Sequence, residues 1–111
     1  MSLYADYVRE RLGWETIEVE SGFITYSIRP PNASIEEFFV RPEQRGTPLA
    51  KRLADTVVSR ARAAGAKFLW TNVVPGTNGA DYAITMNLKY GFKMHSTTAD
   101  GRILLGLSLE D

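Results

Sequence analysis

The chain has no cysteine and only one histidine, His95, in 111 residues. The first absence excludes a disulfide framework, a thiol nucleophile and a zinc site built on thiolates, and the single imidazole argues against a histidine-rich metal cluster or a histidine-based triad. Charge of either sign is not in excess. Thirteen basic side chains offset thirteen acidic ones, so no global field favours nucleic acid or an anionic membrane. No apolar run approaches the ~20 residues of a membrane helix, and the N-terminus lacks a signal-peptide layout. A cytoplasmic protein is the expectation. With no internal repeat, low-complexity tract or long linker, residues 1–111 are expected to form a single domain.

What is present is ordinary in amount and specific in arrangement. Hydrophobic residues make up 44%, enough for one modest core. Tyr4, Tyr7, Val8 and Leu12 recur at helical spacing and stop at Gly13. Ile17 and Val19 alternate with glutamates, and FITYSI follows Ser21-Gly22, which predicts two strands joined by a tight turn. Pro30-Pro31-Asn32 breaks the run, and Ile35 to Arg41 reads as a strand whose apolar end (Phe38, Phe39, Val40) suggests a buried central place.

Leu49, Leu53, Val57, Ala61 and Ala64 form the stripe of an amphipathic helix, with Thr47 suited to cap it, Pro48 to its first position and Gly65 to its end. Lys67 to Val74 predicts a buried strand with Trp70 in the core. Asn78 to Tyr90 predicts a helix with Ala80, Ile84 and Leu88 on one stripe, Tyr82 and Met86 beside it, and Gly91 as its stop. Residues 92–98 and 102–109 close the chain as two strands, with His95 in a structural role. The order is helix, three strands, helix, strand, helix, two strands. It predicts an α/β protein with a mixed sheet, whose middle strand–helix–strand unit makes a parallel pair.

The stretch VRPEQRGTPLAKRL, Val40 to Leu53, joins a strand to a helix through a short basic loop. A helix N-terminus offers unpartnered N–H groups and the positive end of the dipole, so such a turn can seat an anion. The donors would be the amides of Arg45, Gly46, Thr47, Leu49, Ala50 and Lys51, with Arg45 and Lys51 adding charge. Gly46 lets a ligand approach the backbone because no Cβ intervenes.

Residues 35–53 together with 78–92 resemble the GNAT superfamily of N-acetyltransferases, and the element order is similar over nearly the whole chain. In that family a Val-x-Pro-like strand end precedes an Arg/Gln-x-x-Gly-x-Gly/Ala loop, and a later helix ends in Lys-x-Gly-Phe. The matching residues are Val40-Arg41-Pro42, Arg45 to Ala50, and Lys89-Tyr90-Gly91-Phe92. The resemblance implies a GNAT-like acyl-CoA N-acyltransferase fold and acetyl-coenzyme A as cosubstrate, its pyrophosphate on Arg45, Gly46, Thr47, Pro48, Leu49, Ala50 and Lys51, without a metal. Pro48 stands where the motif has a glycine and removes one N–H donor. Where the family commonly carries a tyrosine that protonates the leaving thiolate, this chain has Asn87; Tyr82 and Tyr90 are expected on other faces of that helix.

The resemblance also implies the chemistry of the acceptor. Ile35-Glu36-Glu37-Phe38-Phe39-Val40 is similar to the strand that contacts amines in polyamine N-acetyltransferases, which makes Glu36 and Glu37 the candidates for accepting the amine proton. Adjacent strand residues point to opposite faces, and the likeness favours Glu36 as the one facing the site. A backbone amide of Phe39 or Val40 would polarise the thioester. Asn72 and Asn78 are the polar candidates for the pantetheine arm, Asn78 being suited to cap the helix as well.

Family members generally carry more chain before the central sheet, so the acceptor site is expected to be open or completed by a second copy, a homodimer. Two rivals remain. One is an acetyl-coenzyme A-binding module with weak or no turnover, which Asn87 favours. The other is a nucleic-acid-binding domain using Arg41, Arg45, Lys51, Arg52, Arg60 and Arg62, which the neutral charge and the lack of an aromatic ladder disfavour.

Overall fold

The first helix starts where Ser2 Oγ accepts the Ala5 N–H at 3.0 Å and stops where Gly13 enters the left-handed region at φ +72°. The computed structural model describes residues 2–110. In chain order the elements are α1 (Leu3–Leu12), β1 (Glu15–Val19), β2 (Gly22–Arg29), β3 (Asn32–Val40), a short 3₁₀ turn (Pro42–Gln44), α2 (Leu49–Ala63), β4 (Phe68–Val73), α3 (Ala80–Tyr90), β5 (Lys93–Thr97) and β6 (Ile103–Ser108). Among the described residues no helix is long and apolar enough to cross a membrane.

The six strands form one sheet in the order β1-β2-β3-β4-β6-β5. Only β3 and β4 run parallel, and every other neighbouring pair is antiparallel. The mixed sheet expected from the element order is therefore present, with its one parallel pair at the strand–helix–strand unit. Helices α2 and α3 share one face, where Leu53, Val57, Val58 and Ala61 pack with Ile24, Ile35, Leu69 and Leu105 in the main apolar cluster. The first helix lies against β1 and buries Val8 completely.

Several local expectations are corrected. The strand expected from Ile35 begins at Asn32, because β2 and β3 form a hairpin closed by Arg29↔Asn32 around Pro30-Pro31. Of its apolar end only Val40 is buried: Phe38 is 38% and Phe39 45% exposed, since no strand covers that end on the β4 side. The second helix starts one residue late, at Leu49, with Pro48 in the cap position and its carbonyl accepting the Arg52 N–H. The third helix starts at Ala80 after a left-handed Gly79, so Asn78 is not its cap. Leu88 is 46% exposed, and the face that packs is built on Ala80, Ala83, Ile84 and Met86.

Trp70 does not enter the main cluster. It is half-buried on the opposite side of β4, donating to Asn32 Oδ1 at 3.0 Å and meeting the edge of His95 at 5.1 Å. Its ring lies against Gly106, where a Cβ would come within 2.7 Å of Trp70 Cζ3. Burial along β4 alternates, so the residues that fill the core are Leu69, Thr71 and Val73.

Candidate active site

The parallel ladder between β3 and β4 is short. It pairs Asn32, Ala33 and Ser34 with Phe68, Leu69 and Trp70 and then ends. From Ile35 to Val40 the side of β3 turned toward β4 has no strand partner, so the sheet opens into a V. The cause is local. Tyr26 pairs with Ile35 and Thr25 with Glu37, which leaves Glu36 as one extra residue on β3. Such a bulge bends and twists the strand that carries it, and here it swings β3 away from β4.

The opening is a cleft of about 340 Å³. Its walls are apolar along Ile35, Phe38, Phe39, Val40, Val73, Val74, Ala83 and Met86, with polar groups at Glu36, Glu37, Arg45, Asn72, Asn78, Tyr82 and Asn87. A roomier groove of about 430 Å³ between α1 and β1, lined by Ser2, Asp6, Arg9, Thr16 and Glu18, lacks the apolar walls.

Both residues of the acidic pair border this one cleft, as does every residue from Ile35 to Val40. Strict alternation holds only where the pairing register is unbroken, and the bulge falls between them. The two differ in their partners. Glu37 Oε1 accepts from the Tyr4 hydroxyl and from Thr25 Oγ1 at 3.4 Å, so it is held by α1 and β2. Glu36 has no hydrogen-bond or ion-pair partner among the described residues. The Tyr4 phenol is pushed up to about 12 from 10.0, first by its hydrogen bond to Glu37, then by burial and the carboxylate's charge.

At the other end of the cleft lies the helix N-terminus. The Arg45 N–H bonds Pro42 O at 3.2 Å and the Thr47 N–H bonds Gln44 O at 3.3 Å, so these two amides serve the turn rather than a ligand. The Leu49 N–H reaches Thr47 Oγ1 at 3.4 Å. The N–H groups of Gly46, Ala50 and Lys51 find no acceptor among the described residues, which leaves three of the six expected donors free. Gly46 has φ +85°, and a Cβ built there would meet nothing within 4 Å, so the space before it is open.

Arg45 turns back into the cleft. Its Nε donates to Val40 O at 3.1 Å, and its guanidinium lies 5.8 Å from the Phe39 ring centroid and 5.2 Å from that of Tyr82. Lys51 pairs instead with Asp55 at 2.9 Å, one turn along the helix. Asp55 also accepts from the Tyr90 hydroxyl at 2.6 Å, and these two bonds, Tyr90's first, hold its carboxyl below the usual carboxylate range. Tyr90 is raised by burial and then by the same bond.

The remaining sequence candidates are divided. Asn78 and Asn87 line the cleft, and Asn72 does so while its Oδ1 accepts from Arg102 Nη1 at 3.1 Å. Ala50 lines the cleft, while Thr47, Pro48 and Leu49 face a separate shallow groove beside Arg52. Three residues were not singled out by the sequence. Tyr82, expected on another face from Asn87, lines the same cleft with a buried hydroxyl that has no hydrogen-bond partner among the described residues. The signal for it was its four-residue spacing to Met86. Tyr4 and Thr25, which hold Glu37, gave no signal, because only folding brings α1 and β2 to β3.

The sequence profile of the acetyltransferase (GNAT) family matches residues 5–85. No curated protein matches the chain significantly. Among solved structures, a GNAT-family protein from Desulfovibrio desulfuricans superposes with a TM-score of 0.77 at 16% identity, covering 95% of this chain and 76% of that one. The PaiA N-acetyltransferase from Thermoplasma acidophilum, solved in complex with coenzyme A, gives 0.74 at 17% identity, with 91% and 65% covered. An N-acetyltransferase from Staphylococcus aureus gives 0.71 at 19%, with 95% and 73% covered. Other neighbours are longer still, and this chain spans 58–64% of their length. At such identities these likenesses establish the shared fold.

Proposed function

The chain belongs to the GNAT family of acetyltransferases, and from that membership we propose that it transfers an acetyl group from acetyl-coenzyme A to a primary amine of a small molecule or peptide. The observation that carries the reading is the V between β3 and β4. It runs from Ala50 at a helix N-terminus to the acidic pair, through apolar walls.

The residues present fit the cosubstrate. Gly46, Ala50 and Lys51 offer N–H groups to a diphosphate, with open space before Gly46 and the Arg45 guanidinium close by. The exposed edge of β3 from Ile35 to Val40 offers backbone groups to the peptide-like amides of a pantetheine arm. Asn78 and the unpartnered Tyr82 hydroxyl add side-chain contacts. In one of the solved neighbours, the PaiA N-acetyltransferase, coenzyme A is bound. When bound, the thioester supplies the activated acetyl group.

The chain's own work is then threefold. A backbone amide of Phe39 or Val40 polarises the thioester carbonyl, as a fixed donor aimed where charge develops. Glu36, the carboxylate without a partner, accepts a proton from the amine, which at neutral pH arrives as ammonium because alkyl amines titrate near ~10. Asn87 donates an amide N–H to the departing thiolate but has no proton to give. Calorimetric titration with acetyl-coenzyme A, followed by thiol release across a panel of amines, tests the reading: saturable binding with amine-dependent release supports it, and no binding overturns it.

Asn87 also favours a second reading, in which the domain binds acetyl-coenzyme A with little or no turnover and serves a regulatory or structural role. Binding without release for any amine would select it. A homodimer that completes the acceptor side belongs to the first reading, and it is supported by the exposure of Phe38 and Phe39 along the cleft. Light scattering across a wide concentration range decides it, and a monomer mass throughout would exclude it.

A further inference from the structure

The cleft has a side branch. Between α2 and α3 lies a pocket of about 150 Å³ that shares Ile35, Phe38, Ala50, Met86 and Asn87 with it. The branch adds Lys51, Ala54, Lys89, Tyr90 and Phe92, none of which lines the cleft itself. Arg45, Asn78 and Tyr82, assigned to the diphosphate and the pantetheine arm, border the cleft and not the branch.

The sequence explains the space. Ala50 and Ala54 stand one turn apart on α2, and Met86 and Tyr90 stand one turn apart on α3. Two methyl groups fill little of the gap between helices that do not pack closely on one another. The bond from the Tyr90 hydroxyl to Asp55 Oδ1, at 2.6 Å, ties the two helices together. Ile35, Ala54 and Phe92 are buried, so the interior is apolar. The polar groups nearby are already engaged or in solvent: Lys51 pairs with Asp55, and Lys89 is exposed.

The branch opens at Asn87, the residue assigned to the departing thiolate, and at Phe38, next to the Phe39 amide assigned to the thioester carbonyl. A chain attached at that carbonyl can enter it. Resting on the acetyl-transfer reading above, the geometry points to apolar acyl groups longer than acetyl as further donors, carried on the same coenzyme. An apolar cavity of ~150 Å³ takes up a molecule the size of benzene, which sets the length at about four to six carbons. The chemistry is unchanged. The amine nitrogen bonds the acyl carbon, the C–S bond breaks with its electron pair passing to sulfur, and the amine proton goes to Glu36. What the branch adds is burial of methylene groups, each worth about fourfold in affinity.

Acetyl-, butyryl-, hexanoyl- and dodecanoyl-coenzyme A are compared in thiol release, with the amine of the panel that reacts fastest. Butyryl- and hexanoyl-coenzyme A are expected about tenfold above acetyl-coenzyme A in kcat/KM, with dodecanoyl-coenzyme A below both because its chain outgrows the pocket. Ala54→Leu fills the branch from a position that does not line the cleft. It is expected to lower kcat/KM for hexanoyl-coenzyme A by about tenfold and to leave that for acetyl-coenzyme A within about twofold. Acetyl-coenzyme A equal to or above butyryl and hexanoyl, or dodecanoyl above all, overturns the inference and leaves acetyl transfer standing. So does an Ala54→Leu variant that lowers both donors equally, since the pocket would then hold the body of coenzyme A, or one that lowers neither. The chain-length order of the parent needs no variant, so it decides even where Ala54→Leu fails to fold. Thiol release from none of the four donors with any amine overturns the acetyl-transfer reading itself.

Discussion

The hydroxyl of Tyr4 donates to Glu37 Oε1 and ties the first helix to the third strand, 33 residues apart. The bond fixes one carboxylate of the acidic pair while leaving its neighbour free, and so divides two chemically identical side chains into a held one and an available one.

This tie has a signature in alkali. The folded-state pKa of Tyr4 is raised from 10.0 to about 12, so its contribution to stability is fully present below pH ~10 and is lost as pH rises through about 12. Tyr4→Phe removes the hydroxyl and keeps the ring. Chemical denaturation should show the parent more stable than Tyr4→Phe at pH 9, with the difference shrinking between pH 10 and 12. A difference that stayed constant over that interval would refute the assignment.

Gly46 governs the phosphate seat. At φ +85° a residue with a Cβ is strained by about 1 kcal/mol, although open space surrounds the position. Gly46→Val should fold with a slightly lowered melting temperature and lose affinity for acetyl-coenzyme A, because the added side chain stands where the diphosphate must approach. Calorimetry that gave the parent's affinity would remove the seat from this loop.

The two glutamates should differ in kinetics. Glu36→Gln should lower kcat/KM by roughly 10²–10⁴-fold while leaving acetyl-coenzyme A affinity unchanged, since the carboxylate acts on the amine. Glu37→Gln should cost less, because an amide oxygen still accepts from Tyr4 and Thr25. The comparison is made at a pH where the acceptor is mostly protonated. Equal losses, or a larger one at Glu37, would transfer the proton-accepting role.

Asn87 offers a gain-of-function test. It lines the cleft, and thiolate departure needs less acid assistance than alkoxide departure, so the parent is expected to turn over slowly rather than not at all. Asn87→Tyr should preserve or raise kcat by supplying a proton donor. A fall in kcat with intact cofactor binding would show that Asn87 itself supports the departing thiolate.

The sequence by itself determined the elements and their order. Apolar period, glycine stops and proline breaks are local properties, and they located α1, α2 and the parallel strand–helix–strand unit to within a few residues. It also marked Arg45–Lys51 and the acidic pair, since strand-to-helix turns and adjacent carboxylates are visible in one dimension. Tertiary structure alone decided how those parts face one another. The bulge at Glu36 depends on pairing with β2, and it brought both glutamates to one cleft and exposed Phe38 and Phe39. Packing of α3 on the sheet brought Tyr82 into the cleft beside Arg45, and packing of α1 placed Tyr4 on Glu37. These are contacts between residues far apart in the chain, and no local pattern encodes them, because register and helix docking are settled by the competition of whole surfaces for burial.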